Sequence, residues 1–354
     1  MKSILYWFFL VVSFALIASS CAKKDSSSSS TDNTTSSSDD SSDNSTSTSD
    51  NSTSTSDNST STSDNSSSSS SSTSGIFVTT GQWIYTSVDG VTWDNTTSTL
   101  PDQWATSLFG VVKGNNTFVG VGSGGHIFKS TDNGSNWDNI TSPTTELLTS
   151  IEFGNDTFVG FSMNGNIIRS TDNGTNWDNV SSPVATNMQS VAFGNNIFVG
   201  VGRYGRIVKS TDNGSSWDNV TSPTSNYLFE VAFGNSVFVG VGDNGSIIRS
   251  TDNGSTFDNV TRMSAKGHYG ITFGNNTFVA STDGYIIRST DNGSSWDNVT
   301  SPTTRLISEV AFGNNKFIGV GMFGAMIKST DNGSSWDNVT SPTSNSLSGI
   351  TFEE

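Results

Sequence analysis

From Gly75 onward the apolar residues fall in short runs of about five, divided by turn residues, and no helical periodicity appears. The stretch from Ser190 to Thr221 shows the unit. Val191-Ala192-Phe193 is an apolar run, and Gly194-Asn195-Asn196 is turn chemistry. Phe198-Val199-Gly200-Val201, Ile207-Val208-Lys209-Ser210 and Trp217-Asp218-Asn219-Val220 follow, with turns at Tyr204-Gly205 and Asp212-Asn213-Gly214. Four short strands joined by short loops predict an antiparallel meander.

The unit recurs. A signature written in full as Ser130-Thr131-Asp132-Asn133-Gly134-Ser135-Asn136-Trp137 places its aspartate at Asp89, Asp132, Asp172, Asp212, Asp252, Asp291 and Asp331. The steps are 43, 40, 40, 40, 39 and 40 residues. Four-stranded units at that period predict an all-β fold, a seven-bladed β-propeller. Phe109, Phe153, Phe193, Phe233, Phe273, Phe312 and Phe352 are expected on the first strands. Phe77, Phe118, Phe158, Phe198, Phe238, Phe278 and Phe317 are expected on the second. Both sets read as core filling the wedge between blades. The head opens at Ile76-Phe77-Val78, which matches a second strand, and closes at Gly349-Ile350-Thr351-Phe352, which matches a first. One blade is therefore expected to be built from both termini, which removes the open edge of a linear stack.

The chain divides into residues 1–20, 21–74 and 75–354. Lys2 followed by the apolar stretch Ile4 to Ile17 reads as an export signal, short for a bilayer span. Ala18-Ser19-Ser20 then precede Cys21, the chain's single cysteine, and resemble a bacterial lipoprotein cleavage site. That resemblance implies a lipidated Cys21 as mature N-terminus. Ala22 in place of Asp argues against inner-membrane retention, so the outer membrane or cell surface is expected. An ordinary secretory signal, with a secreted or periplasmic product, is the alternative. Residues 25–74 are Ser, Thr, Asp and Asn, with Asp43, Asp50, Asp57 and Asp64 at a seven-residue period that carries no apolar position. Such a stretch cannot bury a core and reads as a disordered tether spanning about 40 Å.

Charge narrows the partners. Residues 75–354 carry 24 acidic and 13 basic side chains, near −11, which disfavours nucleic acid and anionic lipid surfaces. With two histidines and no cysteine in the head, a zinc site is unsupported, and no Gly-rich phosphate loop lies between a strand and a helix. No cofactor is expected, and the head is expected to be monomeric.

The pattern Ser-x-Asp-x-Gly-x-x-Trp resembles the Asp-box, or BNR, repeat. It is complete at Ser130, Ser170, Ser210, Ser289 and Ser329, has Phe257 for Trp after Ser250, and is one residue short after Ser87. The resemblance covers the whole head. It implies a structural hairpin between third and fourth strands: the carboxylate accepts backbone N–H groups, the glycine takes a positive φ, and the Trp packs between blades. Calcium-binding or catalytic aspartates are disfavoured, because Asp132-Asn133-Gly134 lacks the alternating oxygen ligands of a calcium loop. Families with this repeat include sialidases, xyloglucan-type glycoside hydrolases, sortilin-like receptors and the photosystem II assembly factor group. The single seven-bladed ring is most similar to the last group, which implies a binding or assembly role. A sialidase would need an early arginine, yet residues 75–88 contain none. Arg169, Arg249 and Arg288 share one repeat slot with Lys129, Lys209 and Lys328, which reads as a structural position. A glycosidase of another kind would need two facing carboxylates. Asp102, Glu146, Glu230, Asp243, Asp283 and Glu309 are candidates from loops, and no spacing singles out a pair.

The copies differ unequally. The Gly-Asn-Asn and Asp-box turns are near-identical, while the second-to-third turns and the blade links vary. In a meander these two sets lie on opposite faces. The variable face carries Trp83, His126, Arg203, Tyr204, Arg206 and Tyr285 on hairpin tips, and Trp104, Tyr227, Phe229, His268, Tyr269 and Arg305 in blade links. Aromatic and Arg side chains on scaffolded loops have the composition of binding hot spots. The expectation is a lipid-anchored, non-catalytic propeller that binds an envelope protein or glycan through this face, with a glycoside hydrolase as the alternative.

Overall fold

The structure is a computed structural model that describes residues 75–96, 107–260 and 265–353. It contains seven four-stranded antiparallel sheets. The seven inner strands are Leu108–Gly114, Leu148–Gly154, Met188–Gly194, Leu228–Gly234, His268–Gly274, Ile307–Gly313 and Leu347–Glu353. Each packs against the next, and the last packs against the first, so they ring a central axis. The molecule is a seven-bladed β-propeller. We number the blades in chain order: blade 1 holds Ile76–Gly81, Ile84–Ser87 and Asp94–Asn95 with Leu347–Glu353 as its inner strand, and blade 2 begins at Leu108.

Blade 4 shows how the local pattern becomes a sheet. Its strands are Met188–Gly194, Ile197–Gly202, Ile207–Ser210 and Asp218–Val220. The inner strand starts earlier than the apolar run suggests. Met188 pairs with Gly202 across a bulge that absorbs Gln189, a register that only the partner strand can fix. The second strands are buried along their whole length, because both faces of a blade are covered by its neighbours.

The inter-blade wedge is filled by repetition. Six of the seven inner strands end in a glycine lying against the next blade's Phe ring: a Cβ on Gly194 would sit 2.1 Å from the Phe233 ring. Phe153, Phe193, Phe233, Phe273, Phe312 and Phe352 hold this position. Phe109 does not. It is the second residue of its strand, and Lys113 stands where the other blades have Phe, its ammonium 5.4 Å from the Phe118 ring centroid. Phe77, Phe118, Phe158, Phe198, Phe238, Phe278 and Phe317 lie on second strands with no exposed surface.

The termini share blade 1. Ile76–Thr80 pairs with Gly349–Glu353, and the Phe77 and Phe352 rings stand 4.5 Å apart. Lys316 Nζ and Asn314 Nδ2 of blade 7 donate to the Asp89 and Val88 carbonyls of blade 1. The export signal, Cys21, the tether, Trp104 and Asp102 lie outside the described residues.

Candidate functional site

The face carrying the Gly-Asn-Asn and Ser-x-Asp-x-Gly turns is committed to itself. In blade 4, Ser210 Oγ donates to Asp212 Oδ1 (2.8 Å) and accepts the Gly214 N–H (2.9 Å). The Asp212 carboxylate accepts the Ser216 N–H and hydroxyl, and Trp217 Nε1 donates to the Gly214 carbonyl. Gly214, at φ 76°, takes the left-handed conformation open to a residue without Cβ. The Ser-to-Asp bond recurs around Asp132, Asp172, Asp252, Asp291 and Asp331, and the indole bond recurs in all of these turns but that of Asp252, where Phe257 replaces the Trp. In the shortened turn, Asp89 accepts the Val91 and Thr92 N–H groups, and Trp93 Nε1 finds no acceptor. The Thr92 N–H foremost holds the Asp89 carboxyl at about 2, and the Ser335 hydroxyl foremost holds Asp331 at about 2. Carboxylates so satisfied have little acceptor capacity left for a ligand.

Neighbouring blades are latched on this face. Asn173 and Asn332 amides donate to Thr117 and Thr277 hydroxyls of the preceding blades (2.6 and 2.7 Å). Arg169, Arg249 and Arg288 each donate Nε to a carbonyl in the next blade's turn (2.6–2.7 Å), and Lys129 and Lys209 reach Thr175 and Ser255 there. These cations join blades rather than forming an anion clamp.

The opposite face is built differently. In five blades the second-to-third turn is fastened by one backbone bond to the residue before the inner strand, as Arg203 N–H to the Asn187 carbonyl (2.9 Å) and Asp243 N–H to that of Tyr227 (2.8 Å). Its side chains are left to vary. Tyr204 and Phe323 occupy the left-handed corner of their turns, φ 62° and 55°, where blades 2 and 5 have Gly124 and Asn244. They are 58% and 61% exposed. Such backbone costs a bulky residue on the order of 1–2 kcal/mol, and exposing the ring forfeits its burial. Strain of this sort concentrates at functional sites. The Arg203 guanidinium lies 4.8 Å from the Tyr204 ring centroid, and Arg305 Nη1 donates to the Phe323 carbonyl.

Toward the axis, three blades bring aromatics together. Tyr227 packs on Phe229 (4.7 Å), Phe229 stacks on Tyr269 of blade 6 (5.2 Å), and the Tyr227 hydroxyl donates to Gln189 Oε1 of blade 4 (2.7 Å). Trp83 is half-buried against the joint of blades 7 and 1, and His126 stacks on Phe128 at 5.9 Å. Tyr285 starts a strand of blade 6 with the Lys266 ammonium 5.5 Å from its ring, and Arg206 is exposed.

Three expectations need correction. Phe229 and Tyr269 are each the second residue of an inner strand, not link residues, and Phe229 is only 8% exposed. His268 is the first residue of the blade 6 inner strand, with no exposed surface and neither ring nitrogen hydrogen-bonded. It fills the slot held by Leu108, Leu148, Met188, Leu228, Ile307 and Leu347 elsewhere, so its ring is presented to the core rather than to a ligand. An isolated histidine at the end of an apolar gap gave no sign of that register.

The carboxylates also regroup. Glu230 and Glu309 lie on inner strands, not in loops, and Glu152, which the sequence reading passed over, joins them. Glu230 Oε2 accepts the Ile271 N–H of blade 6 and shares a hydrogen bond with Glu309 of blade 7. Gly270 lies between them in the ring, and a Cβ there would sit 2.8 Å from the Glu309 Cα, so glycine lets the two inner strands pack closely. All three are half-buried by surface but enclosed by the inner strands. Enclosure pushes Glu152 and Glu309 up to about 7; enclosure first, then the Glu309 charge, pushes Glu230 well above the carboxylate range. Glu146 accepts from the Asn164 amide, Asp243 is buried and accepts the Asn244 N–H, and the Asp283 carbonyl accepts from Lys266 Nζ. Among the described residues, no three His, Cys, Asp or Glu side chains are grouped to hold a metal ion.

No protein-family model and no curated protein matches the chain. Solved structures do. YCF48 bound to D1 peptide superposes at TM-score 0.54 with 16% identity, over 64% of this chain and 80% of that one. YCF48 from Cyanidioschyzon merolae gives 0.53 and 18%, over 65% and 84%. The GH74 xyloglucanase from Xanthomonas campestris gives 0.61 and 14%, over 79% of this chain and 52% of the enzyme. At these identities the likeness is one of fold: a seven-bladed β-propeller of the architecture on which a peptide-bound protein and a glycoside hydrolase are both built.

Proposed function

We propose that this chain is a lipid-anchored, envelope-exposed, non-catalytic propeller that binds or scaffolds a protein or glycan partner through its variable face. One observation carries the reading. The Asp-box face spends its polar groups on latching blades together, whereas the opposite face holds exposed Arg side chains and, at Tyr204 and Phe323, exposed aromatics on backbone that disfavours them. Replacing Trp104, Tyr204 and Tyr227 together with alanine in the full chain should weaken capture of a ligand from envelope protein and glycan pools at least a hundredfold. The melting curve should stay cooperative. A folded triple variant that captures as well as the parent would sink the assignment of this face.

The anchor is a separate part of the proposal. Labelling expressing cells with a fatty-acid analogue should mark the wild-type chain at Cys21, and Cys21→Ser should abolish the label and release the chain from membranes. Equal labelling of both would refute lipidation.

A glycoside hydrolase is the second reading, favoured by Glu152, Glu230 and Glu309 in the ring and by the xyloglucanase likeness. The hydrogen bond between Glu230 and Glu309 opposes it, since paired catalytic carboxyls stand about 5–9.5 Å apart around a sugar. Released fragments in the glycan capture, lost in Glu230→Gln, would establish turnover.

A further inference from the structure

The outer rim of the variable face has a polar hollow on blade 4, lined by Tyr204, Arg206, Asn219, Thr221 and Ser222 among others. Three features set it apart. Tyr204 offers an exposed ring from a left-handed corner. Arg203 packs on that ring and Arg206 lines the hollow; both are exposed, and neither guanidinium makes a hydrogen bond or ion pair among the described residues. In a head near −11 an unpaired Arg pair is a local reversal of field.

The third feature is Asn219. Its counterparts in blades 3, 5 and 7 are Asn179, Asn259 and Asn338, whose amides donate to the Pro143, Pro223 and Pro302 carbonyls of the preceding link (3.1, 2.9 and 3.3 Å). Asn219 makes no such bond to Pro183, and it lines the hollow instead. The blade with the strained tyrosine and the Arg pair is thus one whose amide is available for a ligand.

We infer that this hollow binds an acidic saccharide, a sugar chain bearing carboxylate or sulfate. The Tyr204 ring supplies a flat apolar surface for the C–H face of a pyranose. The Arg206 guanidinium in the lining matches a carboxylate or sulfate in charge and fork geometry, and Arg203 on the Tyr204 ring adds positive charge beside it. The Asn219 amide and the Thr221 hydroxyl suit ring hydroxyls. A peptide would favour an apolar groove or an exposed strand edge, and this lining is neither. The inference rests on the variable face being the binding face.

The test is calorimetric titration of the full chain with an oligogalacturonate, a sulfated oligosaccharide, a neutral galactose oligomer of equal length and a polyglutamate peptide. At least one acidic sugar should bind, more weakly as salt rises, and the neutral oligomer at least tenfold less well. The arm that binds tells carboxylate from sulfate. Arg206→Ala should weaken binding at least tenfold, and Tyr204→Gly likewise, with a Tm no lower than the parent's because the left-handed strain is relieved. Absence of acidic-sugar binding, equal binding of the neutral oligomer or of polyglutamate, or full affinity in folded Tyr204→Gly and Arg206→Ala would each overturn it. Loss of captured ligand in the Trp104, Tyr204 and Tyr227 triple variant, with both single variants unaffected, would fell this inference and leave the binding face standing.

Discussion

A chain ending at residue 345 is expected to lose the cooperative melt of the head. The deleted strand supplies the inner strand of blade 1, pairing with Ile76–Gly81 along its length. Leu347 is 1% and Ile350 7% exposed, and Phe352 packs on Phe77 while filling the space over Gly313. At about 1.5–3 kcal/mol for each such side chain, the loss is on the order of 5–8 kcal/mol. That is comparable with the whole stability of an ordinary domain. The damage also spreads, since the same strand packs on the inner strands of blades 2 and 7, and an open ring exposes two blade faces that no other element covers. Thermal denaturation followed by tryptophan fluorescence and calorimetry checks it. A truncated head melting cooperatively at the full-length temperature would show that closure adds nothing.

His268→Leu is expected to stabilise the head, and more so in acid. The imidazole lies in a leucine slot with both nitrogens unpartnered, a burial that costs about 1–3 kcal/mol at any pH. Burial also holds its pKa down to about 4 against 6.5 in the unfolded chain. Below 6.5 the unfolded chain therefore binds a proton that the folded head refuses, and stability falls as pH drops from about 6.5 to about 4. Linkage puts the loss at about 2–3 kcal/mol by pH 4.5. Glu152 and Glu309 act in the opposite sense. Their folded values near 7 lie above the 4.5 of a glutamate in the unfolded chain, so the stability they contribute is present in acid and is lost as pH rises from about 4.5 through 7. The parent is thus expected to show a flattened pH profile. Urea melts at pH 7.5 and 4.5 should give a difference between His268→Leu and parent that grows by about 2–3 kcal/mol toward acid, with the glutamate contribution cancelling. A constant difference would mean that the imidazole charges in the folded state.

The 40-residue period of the Ser-x-Asp-x-Gly turns, the turn glycines and the matching ends at Ile76 and Phe352 determined the fold. Each is a local rule repeated in phase: a residue that permits a turn, an acceptor for its N–H groups, a large ring for a wedge. Local rules show in a sequence because the residues that obey them are neighbours in it. The division into an invariant and a variable face was legible for the same reason, since a meander assigns its turns to alternate ends.

What the sequence did not decide was which residues of different blades meet. Glu230 and Glu309 are separated by a whole blade and meet across the ring. Tyr227, Phe229, Tyr269 and Gln189 come from three blades. His268 looked like a loop residue because the inner-strand bulge, which sets the register of the first residues, is fixed by the partner strand rather than by any pattern in the strand itself. Phe109 was assigned to the wrong register on its strand for that reason. Ring closure brings one residue from each repeat to a common axis, so the groups lining it are about one period apart in the chain. Only the tertiary structure, through packing between blades, turns that spacing into contact and sets which carboxyls share a hydrogen bond, which histidine is cut off from water, and which amide lacks the bond its counterparts make.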